Sequence, residues 1–365
     1  MHENGLWLER RSFKEISNDA KGIKNSDYDK SEGTERSGGR MGTNSKNNKD
    51  RRTGRTNTGL FGQGTDGNAY ESGSNKNIRN ETGLRGDRVL KQNRRISPKT
   101  YDEASGESDA TVTAWLQTSG ESSEMDERMI PAIVICPGGA YQFLSDREAE
   151  PVAKEYYKAG YHIFILRYSV GKTATDFKPL SQLAYTVAYI RAQAENWKVD
   201  KNKIAVCGFS AGGHLAASLG TMFNKRIFLN QWEKTWEIRP NAMVLGYPVI
   251  SSDEYVQADS IENVSGAKMG TEAFLKFGLE QYVDAETPPA FIWHTAEDNV
   301  VMVENSLHFA EALSAANVSF ELHILPKGGH GMSVCTKEVG TEDAYNGRWV
   351  EWSIQWLNNQ FSFSA

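Results

Sequence analysis

From about residue 105 to the carboxyl end, short apolar runs alternate with longer segments of helical spacing. The run AIVIC (132–136) is apolar throughout, and the run at 203–209 lies between helical segments at 179–197 and 211–223. Continuous apolar runs of this length are typical of parallel strands buried on both faces, with the intervening helices covering those faces. The alternation therefore predicts an α/β domain with a doubly wound, mostly parallel sheet flanked by helices.

The individual elements follow from apolar periodicity and from helix start and stop signals. The predicted strands are 111–118, 132–136, 161–169, 203–209, 241–250, 289–295 and 318–325. The predicted helices are 147–160, 179–197, 211–223, 303–317 and 348–361.

The first 100 residues are unlike the rest of the chain. They carry a net charge of +8 and are rich in Gly and Asn, whereas residues 101–365 carry −14. With few large apolar side chains and no periodicity, this segment cannot bury enough surface to offset about 1–2 kcal/mol of backbone entropy per residue. We therefore expect residues 1–100 to be a disordered basic tail and residues 101–365 to form one domain.

The composition argues against several classes of protein. The part that can fold is acidic, so no nucleic-acid partner is expected. No apolar run approaches the roughly 18–20 residues that span a bilayer, and the first residues lack the apolar region of a secretory signal. We therefore expect a cytoplasmic protein without membrane contact, in which Cys136 and Cys207 are reduced core residues. No metal-ligand spacing, P-loop or dinucleotide fingerprint is present, so neither a metal nor a cofactor is expected. The sequence leaves the oligomeric state open.

The segment Gly208-Phe209-Ser210-Ala211-Gly212 has the pattern G-x-S-x-G between an apolar strand and a helix. At a sharp strand-to-helix turn the serine hydroxyl projects from the carboxyl edge of the sheet, and the flanking glycines leave room for the turn. The N–H groups at the start of the helix favour negative charge at the same point. Ser210 is therefore the candidate nucleophile, and a serine that only caps the helix is the alternative.

A second Gly-rich segment, CPGGAY (136–141), follows the strand at 132–136. A tetrahedral oxyanion is stabilised by two or three preorganised N–H donors, each contributing a factor of about 10²–10³ to the rate. Glycine lets backbone amides turn inward without obstruction. We therefore assign Gly139 and Ala140 as donors, together with Ala211 just after the nucleophile. An ordinary Pro-Gly turn is the alternative for this segment.

A serine hydroxyl needs a base, and histidine is the side chain suited to that role near neutral pH. His330 lies in the Gly-flanked loop KGGHGM (327–332) after the last predicted strand, where an imidazole can reach over the nucleophile. His330 is therefore the candidate base. The other histidines lie in the tail, in predicted strands or on predicted helices, where structural roles are expected: His2, His162, His214, His294, His308 and His323.

The acid of such a triad should follow the preceding strand, in the chain order serine, acid, histidine. The strand that ends at Thr295 is followed by Glu297 and Asp298. Asp298 is favoured because its shorter side chain suits a tight turn, and Glu297 is the alternative. Asp253, after the strand that ends near Ile250, is a third candidate.

Five segments resemble the α/β-hydrolase superfamily, in the family's order: CPGGAYQFLSDREAEPVA, LRYS, GFSAGGHLAASLG, HTAEDNVVMVENSL and GGHGMS. Within it, the chain is similar to the bacterial acetyl-esterase and acetylxylan-esterase-like carbohydrate esterases, relatives of the hormone-sensitive-lipase-like enzymes. The resemblance covers about residues 105–360. It implies an eight-stranded, mostly parallel sheet and a triad of Ser210, Asp298 and His330. The sequence reads Pro-Gly-Gly-Ala where a lipase-like His-Gly-Gly-Gly can stand, and the basic tail has no counterpart in the family.

The resemblance also implies an activity. We expect a serine esterase that hydrolyses short-chain acyl esters, with acetyl esters of xylan or other oligosaccharides as substrates, through an acyl-enzyme and without a cofactor. A feruloyl esterase or a lipase-like carboxylesterase is the alternative, followed by a serine oligopeptidase and a non-catalytic module of the same fold. A short acyl pocket is expected from bulky side chains near the nucleophile, with Tyr141 as the candidate substrate-binding residue. The other side chains expected there are Phe143, Leu144 and Trp293.

Overall fold

The computed structural model describes residues 94–96, 110–117, 128–229 and 235–364. The strands in these ranges are β1 (Arg94–Ile96), β2 (Thr111–Trp115), β3 (Ile130–Cys136), β4 (His162–Arg167), β5 (Val199–Phe209), β6 (Ala242–Gly246), β7 (Ala290–Thr295) and β8 (Phe320–Leu325). They form an eight-stranded sheet in the order β1-β2-β4-β3-β5-β6-β7-β8. β2 is antiparallel to both of its neighbours, and every other neighbouring pair is parallel. The prediction of an eight-stranded, mostly parallel sheet is confirmed.

The α-helices lie in the connections between strands, except for the last one, which follows β8. In the described ranges these are α1 (Glu150–Lys158), α2 (Lys178–Ala192), α3 (Ala194–Trp197), α4 (Ala211–Met222), α5 (Arg226–Leu229), α6 (Thr235–Ile238), α7 (Ala258–Ser265), α8 (Glu272–Leu275), α9 (Glu304–Ala315) and α10 (Trp349–Phe361). A short 3₁₀ helix, Asp146–Glu148, precedes α1. Helices α5 to α8 lie in segments for which the periodicity of the sequence predicts no element.

One strand ends earlier than its apolar run. β6 stops at Gly246, although the run continues to Ile250. Tyr247 has a left-handed backbone, with φ of 36°, and its N–H donates to the carbonyl of Trp293 at 2.8 Å. This turn carries the chain away from the sheet while the following side chains remain buried.

Each face of the sheet is covered by its own helices. α1 and α10 pack on one face, where Tyr156 and Trp349 are buried. α2, α4 and α9 pack on the other face, where Leu183 and Leu215 are buried. Each such side chain contributes about 1.5–3 kcal/mol through removal of its surface from water. The two layers make the sheet a rigid base for the loops at its carboxyl edge.

The cysteines at the sheet are placed as predicted. Cys136 and Cys207 are buried free thiols on β3 and β5. Burial raises the pKa of both thiols, which disfavours the reactive thiolate.

The predicted tail, residues 1–100, lies outside the described residues except for β1. The three residues of β1 pair with 112–114 of β2, so this part of the segment belongs to the sheet. Among the helices that the structure describes, none combines the length and apolar character needed to cross a bilayer.

Candidate active site

Ser210 stands at a strained turn between β5 and α4. Its backbone φ is 53° and ψ is −121°, a conformation that costs a residue with a side chain of order 1–3 kcal/mol. Its N–H donates to Gly246 O at 3.0 Å, and its carbonyl accepts from the N–H groups of His214 and Val249. A Cβ on Gly212 would lie 2.1 Å from Cys136 O, so only glycine fits there. The turn therefore holds the serine hydroxyl at the carboxyl edge of the central strands.

His330 lies in the loop after β8 and reaches the serine. Its Nε2 is 2.8 Å from Ser210 Oγ, and its Nδ1 is 2.7 Å from Asp298 Oδ2. Since the carboxylate can only accept, Nδ1–H donates to Asp298, and Nε2 is left to accept the serine proton. The imidazole also packs edge-on against the ring of Tyr247, with centroids 5.0 Å apart.

Asp298 lies in the turn after β7, where four contacts hold its carboxylate. Its Oδ1 accepts from the N–H groups of Val300 and Val301, both at 3.0 Å. Its Oδ2 lies 2.7 Å from His330 and 3.3 Å from His294 Nε2. Burial raises the pKa of Asp298, but hydrogen bonds from His294 and His330 outweigh burial and hold it below its ordinary value. The carboxylate is therefore ionised and fixed in orientation.

The other two acid candidates do not contact the imidazole in this structure. Glu297 is exposed, and its Oε2 is 3.5 Å from the N–H of Gly328. Asp253 is also exposed.

The remaining histidines have other partners. His162 and His214 are buried and bonded to backbone groups, whereas His323 pairs with Glu321 and His308 packs on Tyr255. Burial lowers the pKa of His162 and of His214 to about 4, so both are neutral near pH 7. His2 lies outside the described residues.

The Gly-rich loop after β3 lies against Ser210. A Cβ on Gly138 would be 3.0 Å from Ser210 Cβ. Gly139 and Ala140 both have positive φ, 126° and 54°. Among the described residues, no hydrogen bond uses the N–H of either. Ala211 is the first residue of α4, so its N–H has no partner within the helix. These three N–H groups are available to a ligand near Ser210.

The side chain of Tyr141 corrects one expectation. It is 1% exposed, and its hydroxyl donates to His214 Nδ1 at 2.8 Å. The ring packs against Tyr168, with centroids 5.7 Å apart. The structure thus gives this side chain a core position in place of the expected contact with substrate, because the buried His214 satisfies its hydroxyl within the protein.

The side chains expected to form the wall of the acyl pocket also differ from the expectation in their burial. Trp293 is fully buried and stacks on Trp349 at 4.9 Å, so it belongs to the core. Phe143 is 59% exposed, and Leu144 is half-buried against the core. Of the four bulky side chains, only Phe143 is therefore largely open to solvent, on the Gly-rich loop after β3.

Three residues of this region are not found by sequence reasoning: His294, Glu148 and Tyr247. His294 is assigned to a strand, but its Nε2–H points to Asp298 Oδ2 and to Val301 O at 2.9 Å. The spacing of four residues between His294 and Asp298 is a signal that could have found it. Glu148 looks in the sequence like the acidic start of a helix, yet it is buried. Tyr247 lies within the apolar run 241–250, which predicts a buried strand residue at this position.

Within the ranges that the structure describes, no group of three or more His, Cys, Asp or Glu side chains could hold a metal ion.

The chain is similar in sequence to several known proteins. Endo-1,4-beta-xylanase B of Butyrivibrio fibrisolvens is 36% identical over 209 residues, which make up 56% of this chain and 33% of that protein. An acetylxylan esterase of Xylanibacter ruminicola is 30% identical over 234 residues, 62% of this chain and 45% of that protein. The chain thus spans less than half the length of either relative.

A solved structure is similar over its whole length. The acetyl ester-xyloside bifunctional hydrolase from Caldicellulosiruptor lactoaceticus matches with a TM-score of 0.65 and 29% identity, covering 76% of this chain and 100% of that chain. The α/β hydrolase MGS-M1 from a deep-sea metagenome library matches with a TM-score of 0.59 and 33% identity, covering 74% of this chain and 98% of that chain. These likenesses place the chain among the α/β hydrolases. The family model described as BD-FAE matches residues 122–313, more than half of the sequence and from just before β3 to within α9, so the chain belongs to the BD-FAE family of α/β-hydrolase proteins.

Proposed function

We propose that this chain is a serine carboxylic-ester hydrolase in which Ser210 is the nucleophile, His330 the base and Asp298 the residue that orients the base. One observation carries the proposal: Ser210 Oγ, the two nitrogens of His330 and Asp298 Oδ2 form a continuous hydrogen-bonded chain with links of 2.8 and 2.7 Å. This order of groups is that of a nucleophile, a general base and its orienting acid.

The first half of the reaction is acylation. Ser210 Oγ attacks the carbonyl carbon of the ester while His330 Nε2 takes the hydroxyl proton. The tetrahedral oxyanion accepts hydrogen bonds from the N–H groups of Gly139, Ala140 and Ala211. As the C–O bond to the alcohol breaks, the imidazolium returns its proton to the leaving oxygen, and an acyl-serine ester remains.

The second half is hydrolysis of that ester. Water replaces the alcohol, and His330 Nε2 takes a proton from it as the water oxygen attacks the acyl carbon. Collapse of the second tetrahedral intermediate releases the carboxylic acid, and the proton on His330 returns to Ser210 Oγ. Asp298 stabilises the imidazolium in both halves and is not itself protonated.

For the substrate, we propose short-chain acyl esters, and acetyl esters of xylan or xylo-oligosaccharides in particular. Support comes from the relatives, which are named as an acetylxylan esterase, a xylanase and an acetyl ester-xyloside hydrolase. Tyr141 and Trp293 do not supply the acyl wall, so acyl length is tested separately from the chemistry.

The test compares acyl esters and a peptide analogue. We expect hydrolysis of p-nitrophenyl acetate and of acetylated xylo-oligosaccharides, and no cleavage of an aminoacyl-nitroanilide. Acetyl esters should exceed octanoyl esters at least about tenfold in kcat/KM if the acyl site is short. In an open site each extra methylene would instead gain about 0.8 kcal/mol of burial and favour the longer chain. Faster cleavage of octanoyl or feruloyl esters would replace the acetyl-esterase proposal by a lipase-like or feruloyl esterase.

Two serine variants test the nucleophile. Ser210→Ala should reduce kcat by about 10⁴–10⁶. Ser218→Ala, two turns further along α4, is the matched control. The Ser218 hydroxyl donates to His214 O at 2.7 Å and lies 3.5 Å from His214 Nδ1; neither contact involves Ser210 or His330, so the activity of the variant should be unchanged. Retention of about a tenth of wild-type activity by Ser210→Ala would contradict the assignment.

A further inference from the structure

Glu148 is a buried carboxylate for which the proposed reaction has no role. Among the described residues, the buried acidic side chains are Glu148, 3% exposed, and Asp298, 5% exposed. Glu148 closes the 3₁₀ helix Asp146–Glu148 that follows the oxyanion loop. No lysine or arginine in the described part of the chain forms an ion pair with it. A buried charge without an ionic partner costs several kcal/mol relative to a well-packed apolar side chain.

The two oxygens of Glu148 accept hydrogen bonds from two different loops. Oε2 accepts from the N–H of Gly138 at 2.9 Å. Oε1 accepts from the hydroxyl of Tyr247 at 2.7 Å. These partners are 109 residues apart in the chain, so the carboxylate joins the loops after β3 and β6.

On the first side, Glu148 fixes the peptide that leads into the oxyanion donors. A Cβ on Gly138 would lie 2.6 Å from Glu148 Oε2 and 3.0 Å from Ser210 Cβ, so Gly138 is held between the two. Its carbonyl accepts from the N–H of Ser145 at 3.0 Å. Both polar backbone groups of Gly138 are thus engaged, which fixes the residue directly before the proposed donors Gly139 and Ala140.

On the second side, Glu148 supports the loop of the base. The Tyr247 hydroxyl that donates to Glu148 also accepts from the N–H of Ser333 at 2.9 Å. Ser333 follows His330 by three residues, and the Tyr247 ring packs edge-on against the imidazole. The neighbouring Arg147 adds a second tie, since its Nη2 donates to Gly331 O at 2.8 Å.

We infer that Glu148 is a positioning residue that sets the oxyanion loop and the His330 loop relative to each other. The inference rests on the proposed function, because it gives Glu148 a role only through the donors and the base. Hydrogen bonds to a charged acceptor are about twice as strong as neutral ones. One carboxylate can therefore hold both loops where an amide or an apolar side chain holds one or neither.

The test uses a variant that fills the same space without an acceptor. Glu148→Met should lower kcat about 100-fold, the effect of misplacing one oxyanion donor, while KM for p-nitrophenyl acetate stays within about threefold. The Ki of a trifluoromethyl ketone, which forms a tetrahedral adduct with serine, should rise by the same factor. Rates are normalised to active sites titrated to completion with a fluorophosphonate. Normal kcat and Ki per active site, with only fewer active sites, would overturn the inference.

Two further variants separate positioning from folding. Glu148→Gln keeps one oxygen acceptor for Gly138 and should restore kcat to within about tenfold of wild type. Asp146→Ala, in the same 3₁₀ helix, removes an exposed ion pair with Arg167 and should leave kcat unchanged.

If Glu148→Met does not fold, Tyr247→Phe decides. It removes the hydroxyl between Glu148 and Ser333, so kcat should fall at least about threefold at constant KM. Wild-type kcat in Tyr247→Phe would overturn the inference.

Failure of the proposed function can be distinguished from failure of the role inferred for Glu148. It is wrong if Ser210→Ala keeps wild-type activity. If Ser210→Ala is inactive while Glu148→Met has wild-type kcat and Ki, only the role of Glu148 is wrong.

Discussion

Replacing Asp298 by asparagine should abolish most activity without disturbing the loop that carries it. The carboxylate Oδ1 accepts two backbone N–H groups, from Val300 and Val301. In the variant only the amide oxygen can accept both, so the amide –NH₂ must take the place of Oδ2. It then faces the Nδ1 of His330, which is 2.7 Å away, and two donors oppose each other.

The magnitude follows from the tautomer that results. His330 can relieve the clash by accepting at Nδ1 and carrying its proton on Nε2, which then cannot accept a proton from Ser210 Oγ. The carboxylate that stabilises the imidazolium is also lost. In a well-studied triad these effects together cost about 10⁴ in kcat, or about 5.4 kcal/mol of transition-state stabilisation. We expect a loss of that order here, with KM within a few-fold.

The adjacent glutamate provides the control. Glu297→Gln makes the same carboxylate-to-amide change one residue earlier, on an exposed side chain whose closest polar contact is Gly328 N at 3.5 Å. Its kcat should stay within about twofold of wild type. Both variants are assayed with p-nitrophenyl acetate at pH 7.5, and circular dichroism checks that they are folded. A larger loss in Glu297→Gln than in Asp298→Asn would assign the acid role to Glu297 and refute the reasoning.

Three other predictions concern stability and the limits of the domain. Burial lowers the pKa of His162 from 6.5 to about 4 in the folded protein. The contribution of the neutral imidazole to the free energy of unfolding is therefore complete above about pH 6.5 and is lost as the pH falls towards 4. At pH 5 this lowers the free energy of unfolding by about 2 kcal/mol. Urea unfolding at pH 7 and pH 5 should show a decrease that is about 2 kcal/mol smaller in His162→Gln than in the wild type. Equal decreases in the two proteins would contradict the prediction. Gly212→Ala should prevent folding or abolish activity, because its Cβ would lie 2.1 Å from Cys136 O. A Cβ added at Gly329 would have no neighbour within 4 Å, so Gly329→Ala should keep the wild-type Tm. Deletion of residues 1–92, which keeps β1, should leave kcat/KM within about twofold of wild type, since the predicted tail contributes no packing to the domain. A collapse of activity would show that this segment packs on the domain.

Part of the candidate site could be predicted from the sequence because the signals are local. The strand–turn–helix context around Ser210 constrains the backbone within five residues, and glycine at 208 is required within that turn, because a Cβ there would lie 2.1 Å from Gly212 O. His330 and Asp298 follow from chain order, since each lies in the first loop after a strand of a parallel sheet. Their proximity to Ser210 is a geometric result, whereas their roles in the reaction stay predictions until the variants are measured.

Other parts could not be predicted, because the contacts join distant segments. Tyr141 looks like a pocket residue in the loop CPGGAY, but its hydroxyl is bonded to His214, 73 residues away. The apolar run 241–250 predicts a longer strand than β6, since periodicity does not detect the left-handed turn at Tyr247. Local pattern describes what a segment prefers, and in these cases tertiary partners decided the outcome.

The sequence by itself determined the α/β architecture, because continuous apolar runs separated by amphipathic helices can be buried only in a sheet covered on both faces. It also determined which loops meet, since parallel strands end at one edge. The tertiary structure alone decided which way the side chains in those loops face. Glu148 lies in a charged Asp-Arg-Glu turn whose sequence is typical of a solvated helix start. Its hydrogen bonds from Gly138 and from Tyr247, 99 residues later, hold it in the interior. The physical reason is that a carboxylate is buried only where enough donors converge on it, and this convergence is a property of the folded chain.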